Sequence, residues 1–99
     1  MRRGELYRYE RPSAPANRGT VLVLSSDETI QPTRDWVLGL QLRVDDPDDL
    51  LAVPTGDGRY AYAGDLGRLY SAWVRERVGR IDALTLARVN TVLRVALDL

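Results

Sequence analysis

The apolar residues of this chain keep the two-residue period of β-structure, in short bursts, as far as Gly79; from Asp82 they switch to the period of a helix. That switch constrains the fold most, because it allows one terminal helix and requires everything upstream to pair as strands. Glu5 to Glu10 is a first strand, with Leu6, Tyr7 and Tyr9 as its β-prone side chains. Thr20 to Ser25 is a continuous apolar and β-branched run, short enough for a buried central strand. Asp35 to Val44 places Leu38, Leu40, Leu42 and Val44 at period two, the mark of a half-buried strand. Leu50 to Val53 and Arg59 to Ala63 flank Pro54-Thr55-Gly56-Asp57-Gly58, whose Asp-Gly tolerates the positive φ of a tight hairpin. Ser71 to Gly79 alternates as a last strand, with a helical turn as the alternative. Between these runs, Arg11 to Gly19 is loop, Ser26-Asp27-Glu28 turns the chain, and Asp45 to Asp49 is a turn that like charges and Pro47 keep out of any ladder. In the closing segment Leu86, Val89, Leu93, Ala96 and Leu97 share a face, which Leu84, Val92, Val95 and Leu99 widen, and Asp82 is suited to cap its start. The expectation is one α+β, mostly β domain over residues 1–99: a small antiparallel barrel-like sheet with a C-terminal helix.

Composition narrows the chemistry. Cysteine and histidine are both absent, removing disulfides, thiolate chemistry, a histidine base and a conventional serine triad. No metal and no cofactor are expected: Asp45 to Asp49 lacks the spaced acids and closing glutamate of a calcium loop, and no glycine-rich phosphate loop follows a strand. No apolar run reaches the roughly 20 residues of a membrane span, and no apolar run follows Met1-Arg2-Arg3-Gly4-Glu5 as in a secretory signal, so a cytoplasmic protein is expected. All fourteen basic residues are arginine, and the net charge is zero. GC-rich codon usage accounts for this arginine bias, and the planar fork of arginine also suits phosphate. The first twenty residues hold Arg2, Arg3, Arg8, Arg11 and Arg18 against Glu5 and Glu10, a local basic excess.

Three segments then fall in a telling order. Arg3-Gly4-Glu5-Leu6-Tyr7 opens the chain, Arg18-Gly19-Thr20-Val21-Leu22-Val23-Leu24-Ser25-Ser26-Asp27 follows a proline-bearing loop, and Ile81-Asp82 leads the final helix. In this order they resemble the MazF/PemK family of toxin endoribonucleases, whose SH3-like barrel is shared with the CcdB-type gyrase poisons. The resemblance implies a homodimeric, metal-independent endoribonuclease that cuts single-stranded RNA, uses the RNA's own 2′-hydroxyl as nucleophile, and is restrained by a cognate antitoxin protein.

The resemblance also assigns residues. Arg18 matches the family's catalytic arginine, a donor that would stabilise charge on the phosphoryl oxygens. The stretch aligned with the catalytic hydroxyl reads Gly39-Leu40-Gln41-Leu42-Arg43, so Gln41 and Arg43 are candidates to act in its place or to bind RNA. Asp65 stands where the family has glutamine; it would repel phosphate unless it acts as a base or pairs with Arg18 or Arg68. Thr20 and Arg8 are candidate RNA contacts, and Tyr7, Tyr9 and Tyr60 are candidates for base stacking, although sheet packing is the commoner role of such tyrosines. Two alternatives remain: a degenerate barrel that binds RNA or a protein partner without cutting, and a gyrase inhibitor. The gyrase reading ranks last because the chain closes on Arg94-Val95-Ala96-Leu97-Asp98-Leu99, without the Trp-Gly-Ile of that branch.

Overall fold

A computed structural model of the protein describes residues 1–12, 19–25 and 35–98. Among the described residues, seven strands precede one helix: β1 (Glu5–Tyr9), β2 (Gly19–Val23), β3 (Trp36–Gln41), β4 (Ala52–Pro54), β5 (Tyr60–Tyr62), β6 (Gly67–Tyr70), β7 (Val74–Arg80) and α1 (Ala83–Ala96). Five form an antiparallel sheet in the order β6-β3-β2-β1-β7, while β4 and β5 form a separate ribbon. An Arg43–Tyr60 bridge just beyond β3 ties the ribbon to the sheet.

The sheet is covered on both faces. Leu6, Leu22, Leu40 and Leu42 meet Val53 and Ala61 of the ribbon and Val89 and Leu93 of α1 in the larger core. On the opposite face Tyr9, Val21, Val23, Val37 and Leu69 form a second cluster, flanked by Tyr7, Trp73 and Val74. Each fully buried Val or Leu contributes roughly 1.5–3 kcal/mol. β3 is therefore not the half-buried strand that its period suggests. Leu40 and Leu42 are buried, but so is Val37 on the other face, while Leu38 and Val44 are exposed. Gly39 explains how β2, β3 and β6 come so close: a Cβ there would lie less than 3.0 Å from both the Leu22 carbonyl oxygen and Leu69 Cδ1.

The turns and caps follow the local chemistry. Gly4 holds φ at 91° while its N–H donates to the Val23 carbonyl and its own carbonyl accepts from Ile81 N–H, joining β1, β2 and the helix entry. The Asp82 carboxylate accepts from Thr85 N–H at 2.7 Å and caps α1 as expected. Of the anticipated helical stripe, Val89 and Leu93 are buried and Leu86 and Val92 half-buried. Leu84, Val95 and Leu97 face outward, so the apolar face is wider than the barrel uses.

Two segments differ from the expectation. Residues Ser71–Trp73 form a 3-10 turn, and the strand starts only at Val74. The strand β6, to which no period pointed, pairs along β3 from Trp36↔Tyr70 to Gly39↔Gly67. Its Gly-Arg-Leu-Tyr carries one buried side chain, and its strand character comes from that pairing.

Candidate active site

The ends of β2 and β3 open onto a cleft of about 600 Å³ lined by Gly19, Thr20, Gln41, Arg43, Asp46 and Arg59, among others. The register that sets Val21 against Gln41 brings these strand ends together, and Leu42 N–H donating to the Thr20 carbonyl at 2.9 Å continues the ladder. A smaller cleft of about 330 Å³ adjoins it, lined by Gln41, Leu42, Arg43 and Asp65. Three anticipated residues, Thr20, Gln41 and Arg43, thus share one site. Thr20 is buried at its edge; Gln41 is exposed and makes no side-chain hydrogen bond to a described residue.

Arg43 is the best-anchored cation there. Its backbone N–H donates to Tyr60 and its carbonyl accepts from Tyr60, at 2.9 and 2.8 Å. Its Nε donates to Asp65 Oδ2 at 2.7 Å and its Nη2 to Asp65 Oδ1 at 2.9 Å, a bidentate fork. Its guanidinium carbon also lies 4.8 Å from the centre of the Tyr62 ring. The hydrogen bond to Asp65, and then the aspartate's charge, raise the Arg43 pKa above its ordinary value. Asp65 therefore has a cationic partner in Arg43, 22 residues away, and not in Arg68. Arg68 instead lies over the Trp36 ring at 4.6 Å.

Arg59 was not anticipated. It lines the larger cleft and pairs with Asp57 at 3.0 Å. Burial, the largest single influence on Asp57, raises its pKa, but hydrogen bonds from Thr55 and Arg59 together bring it below the ordinary value. Asp45, Asp46 and Pro47 of the acidic turn also line this cleft. The only sequence signal for Arg59 was its place just after the Asp57-Gly58 turn, which does not say what it faces.

The basic N-terminal stretch is largely engaged within the molecule. Arg3 donates to the Leu24 carbonyl at 2.9 Å and to the Asn90 side chain on α1. Arg8 sits opposite Thr20 but contacts Glu76 at 3.0 Å and Glu10 at 3.4 Å, away from the cleft lining. Arg11 lies 5.7 Å from the Trp73 ring centre. Arg18 lies outside the described residues; Gly19, which follows it, lines the cleft. Of the tyrosines, Tyr9 is 1% exposed and its hydroxyl accepts from Tyr70 N–H at 3.0 Å, which makes it a packing residue rather than a base platform. Tyr7 is half-buried with its hydroxyl on Glu5, and Tyr60 is half-buried between sheet and ribbon.

Among the described residues, no helix is long and apolar enough to cross a membrane. A five-stranded antiparallel sheet, a two-stranded ribbon and one C-terminal helix define a mostly β barrel class with a cleft at its strand ends. Solved structures of that class match along the whole chain. One is an endoribonuclease from Mycobacterial species, at TM-score 0.81 and 20% identity over 100% of this chain and 92% of that one. Another, an endoribonuclease in complex with its cognate antitoxin from Mycobacterial species, matches at TM-score 0.83 and 20% identity over 100% and 96%. The MazE–MazF structure from Deinococcus radiodurans matches at TM-score 0.80 and 20% identity over 98% and 94%. The chain has the fold of these proteins. No family profile and no curated protein sequence matches it.

Proposed function

We propose that this chain is a toxin-like, metal-independent endoribonuclease that cuts single-stranded RNA, acts in the cytoplasm as one 1–99 domain, and is restrained by a cognate antitoxin. The observation that carries this reading is the full-length likeness, at TM-scores of 0.81 and 0.83, to two structures described as endoribonucleases, one of them in complex with its cognate antitoxin. A homodimer is part of the proposal; Leu84 and Val95, exposed on α1, and Leu97, exposed just after it, supply apolar surface for association.

In the proposed reaction the 2′-oxygen of one ribose attacks the adjacent phosphorus. The bond from phosphorus to the 5′-oxygen of the next nucleotide breaks, leaving a 2′,3′-cyclic phosphate and a 5′-hydroxyl. The 2′-hydroxyl gives up its proton and the departing 5′-oxygen receives one. Arg18 is assigned to the phosphoryl oxygens as charge builds on them, supported by its family match and by the position of Gly19 on the cleft. Gln41 and Arg43 are assigned to the RNA backbone in the same cleft, with Thr20 at its edge. Arg8, a further proposed RNA contact, is tied to Glu10 and Glu76 and does not line the cleft. Without histidine, the carboxylates of Asp45, Asp46 and Asp65 are, among the described residues of the two clefts, the candidates to carry the transferred proton.

The second reading is a barrel that binds RNA or a protein partner without cutting. The observation in its favour is that the fork of Arg43 is engaged by Asp65. Mapping the ends left on a long single-stranded RNA decides between them. Cyclic-phosphate ends that persist in a chelator, and that vanish when the RNA is 2′-deoxy at the cut, support the enzyme. Intact RNA with retained binding supports the second reading.

A further inference from the structure

We propose that Asp65 is a built-in competitor for the phosphate that Arg43 receives, a carboxylate that holds the guanidinium in place and yields it to the incoming RNA backbone. This rests on the nucleic-acid reading above and adds a positioning and gating residue to the same site. A carboxylate offers a guanidinium two oxygens in nearly the geometry a phosphate does. Asp65 takes that position on Arg43, with Oδ2 and Oδ1 at 2.7 and 2.9 Å from Nε and Nη2.

The geometry suits an exchange. Arg43 forms a wall common to both clefts, whereas Asp65 lines only the smaller one. A phosphate in the larger cleft therefore meets Arg43 from the side that Asp65 does not occupy. The Tyr60 backbone bridge and the Tyr62 ring keep the guanidinium in place while its partner changes. Nη1 and the second hydrogen of Nη2 take no part in the fork to Asp65 and can bind a phosphate before it opens. The Arg43 side chain is 46% exposed and that of Asp65 26%, and a pair this close to water opens at small cost. The other described arginine of the cleft, Arg59, is also carboxylate-paired, so the two cations bring little net charge to the site until a pair opens.

The test is binding of a 2′-O-methylated single-stranded oligoribonucleotide, which cannot be cut, followed by fluorescence anisotropy from about 50 to about 200 mM salt. Wild type is compared with Asp65→Asn, Arg43→Gln and the double variant. Removing one anion beside the strand corresponds to one further effective phosphate contact. Asp65→Asn is expected to bind about fivefold tighter near 0.1 M salt, with the log–log salt slope steeper by about 0.7. Asp65→Gln, which removes the same charge with a longer amide, shows the same gain, so the test survives if the asparagine variant fails to fold. In the Arg43→Gln background the gain disappears. A purely structural Asp65 would lower the melting temperature and leave affinity and slope unchanged. Wild-type or weaker affinity in the folded Asp65 variants overturns the proposal, and so does a gain that survives without Arg43. If no variant binds, the nucleic-acid reading fails and the competitor with it; if all bind without the gain, only the competitor fails.

Discussion

Gly39 is where the fold and the site meet most tightly, and Gly39→Ala is expected to damage both. The residue pairs with Val23 on one side and Gly67 on the other, two positions before Gln41. The added methyl would lie less than 3.0 Å from the Leu22 carbonyl oxygen, which is backbone and cannot rotate away. It would come equally close to Leu69 Cδ1, whose side chain is 2% exposed and has nowhere to go. β2 and β3 must therefore separate, at a cost above the roughly 1–3 kcal/mol usual for overpacking, about 4 kcal/mol. Lower entropy in the unfolded chain returns roughly 0.5–1 kcal/mol of that. A net loss of about 3 kcal/mol corresponds to a fall of roughly 15 °C in melting temperature for a chain of this size. Gly19→Ala is the control: Gly19 lines the cleft, with no atom of the described residues within 4 Å of its added Cβ, and the variant should melt within a few degrees of wild type. Thermal melts followed by circular dichroism measure both. A Gly39→Ala protein that melts with its control would refute the packing assigned to the sheet centre.

Two further perturbations follow from individual bonds. Tyr9→Phe removes the acceptor for Tyr70 N–H and should cost about 1 kcal/mol in urea unfolding with an unchanged m-value; no loss would mean that the bond contributes nothing. The hydrogen bond from Thr85 N–H holds the Asp82 carboxyl below its ordinary pKa. Because the folded pKa is the lower one, the stabilisation is complete above the unfolded aspartate value of about 3.9 and is lost as pH falls through the folded value. Asp82→Ala should therefore melt below wild type at neutral pH, and the gap should close as the pH falls below the unfolded aspartate value and through the lower folded one; a constant gap across that range would contradict the capping role.

Much of the fold was legible because it is written in local chemistry. The β4–β5 hairpin follows from Asp57-Gly58, and α1 from the period change and the carboxylate of Asp82. β6 was not legible, since a four-residue strand with one buried side chain has no periodicity of its own. Leu38 and Val44 misled for a related reason: a strand covered on both faces does not sort its residues by period two. In the site, Thr20, Gln41 and Arg43 were candidates through the family resemblance, and the pairing of the sequential strands β2 and β3 brings them together. The Arg43–Asp65 fork joins residues 22 apart across the ribbon, a register that no local pattern encodes. Arg59 escaped for the same reason. The basic excess of the first twenty residues does not say what its arginines face: Arg3 and Arg8 are engaged with α1, Glu10 and Glu76, contacts that composition does not reveal.

The most direct test of the proposed function compares RNA cleavage by the wild-type chain and Arg18→Ala, both purified free of any antitoxin. The expected result is cutting of single-stranded RNA by wild type, with 2′,3′-cyclic phosphate ends, and a fall of roughly 10²-fold or more in the variant, as for removal of a group that stabilises transition-state charge. No cutting by wild type, or equal cutting by both proteins, would contradict it.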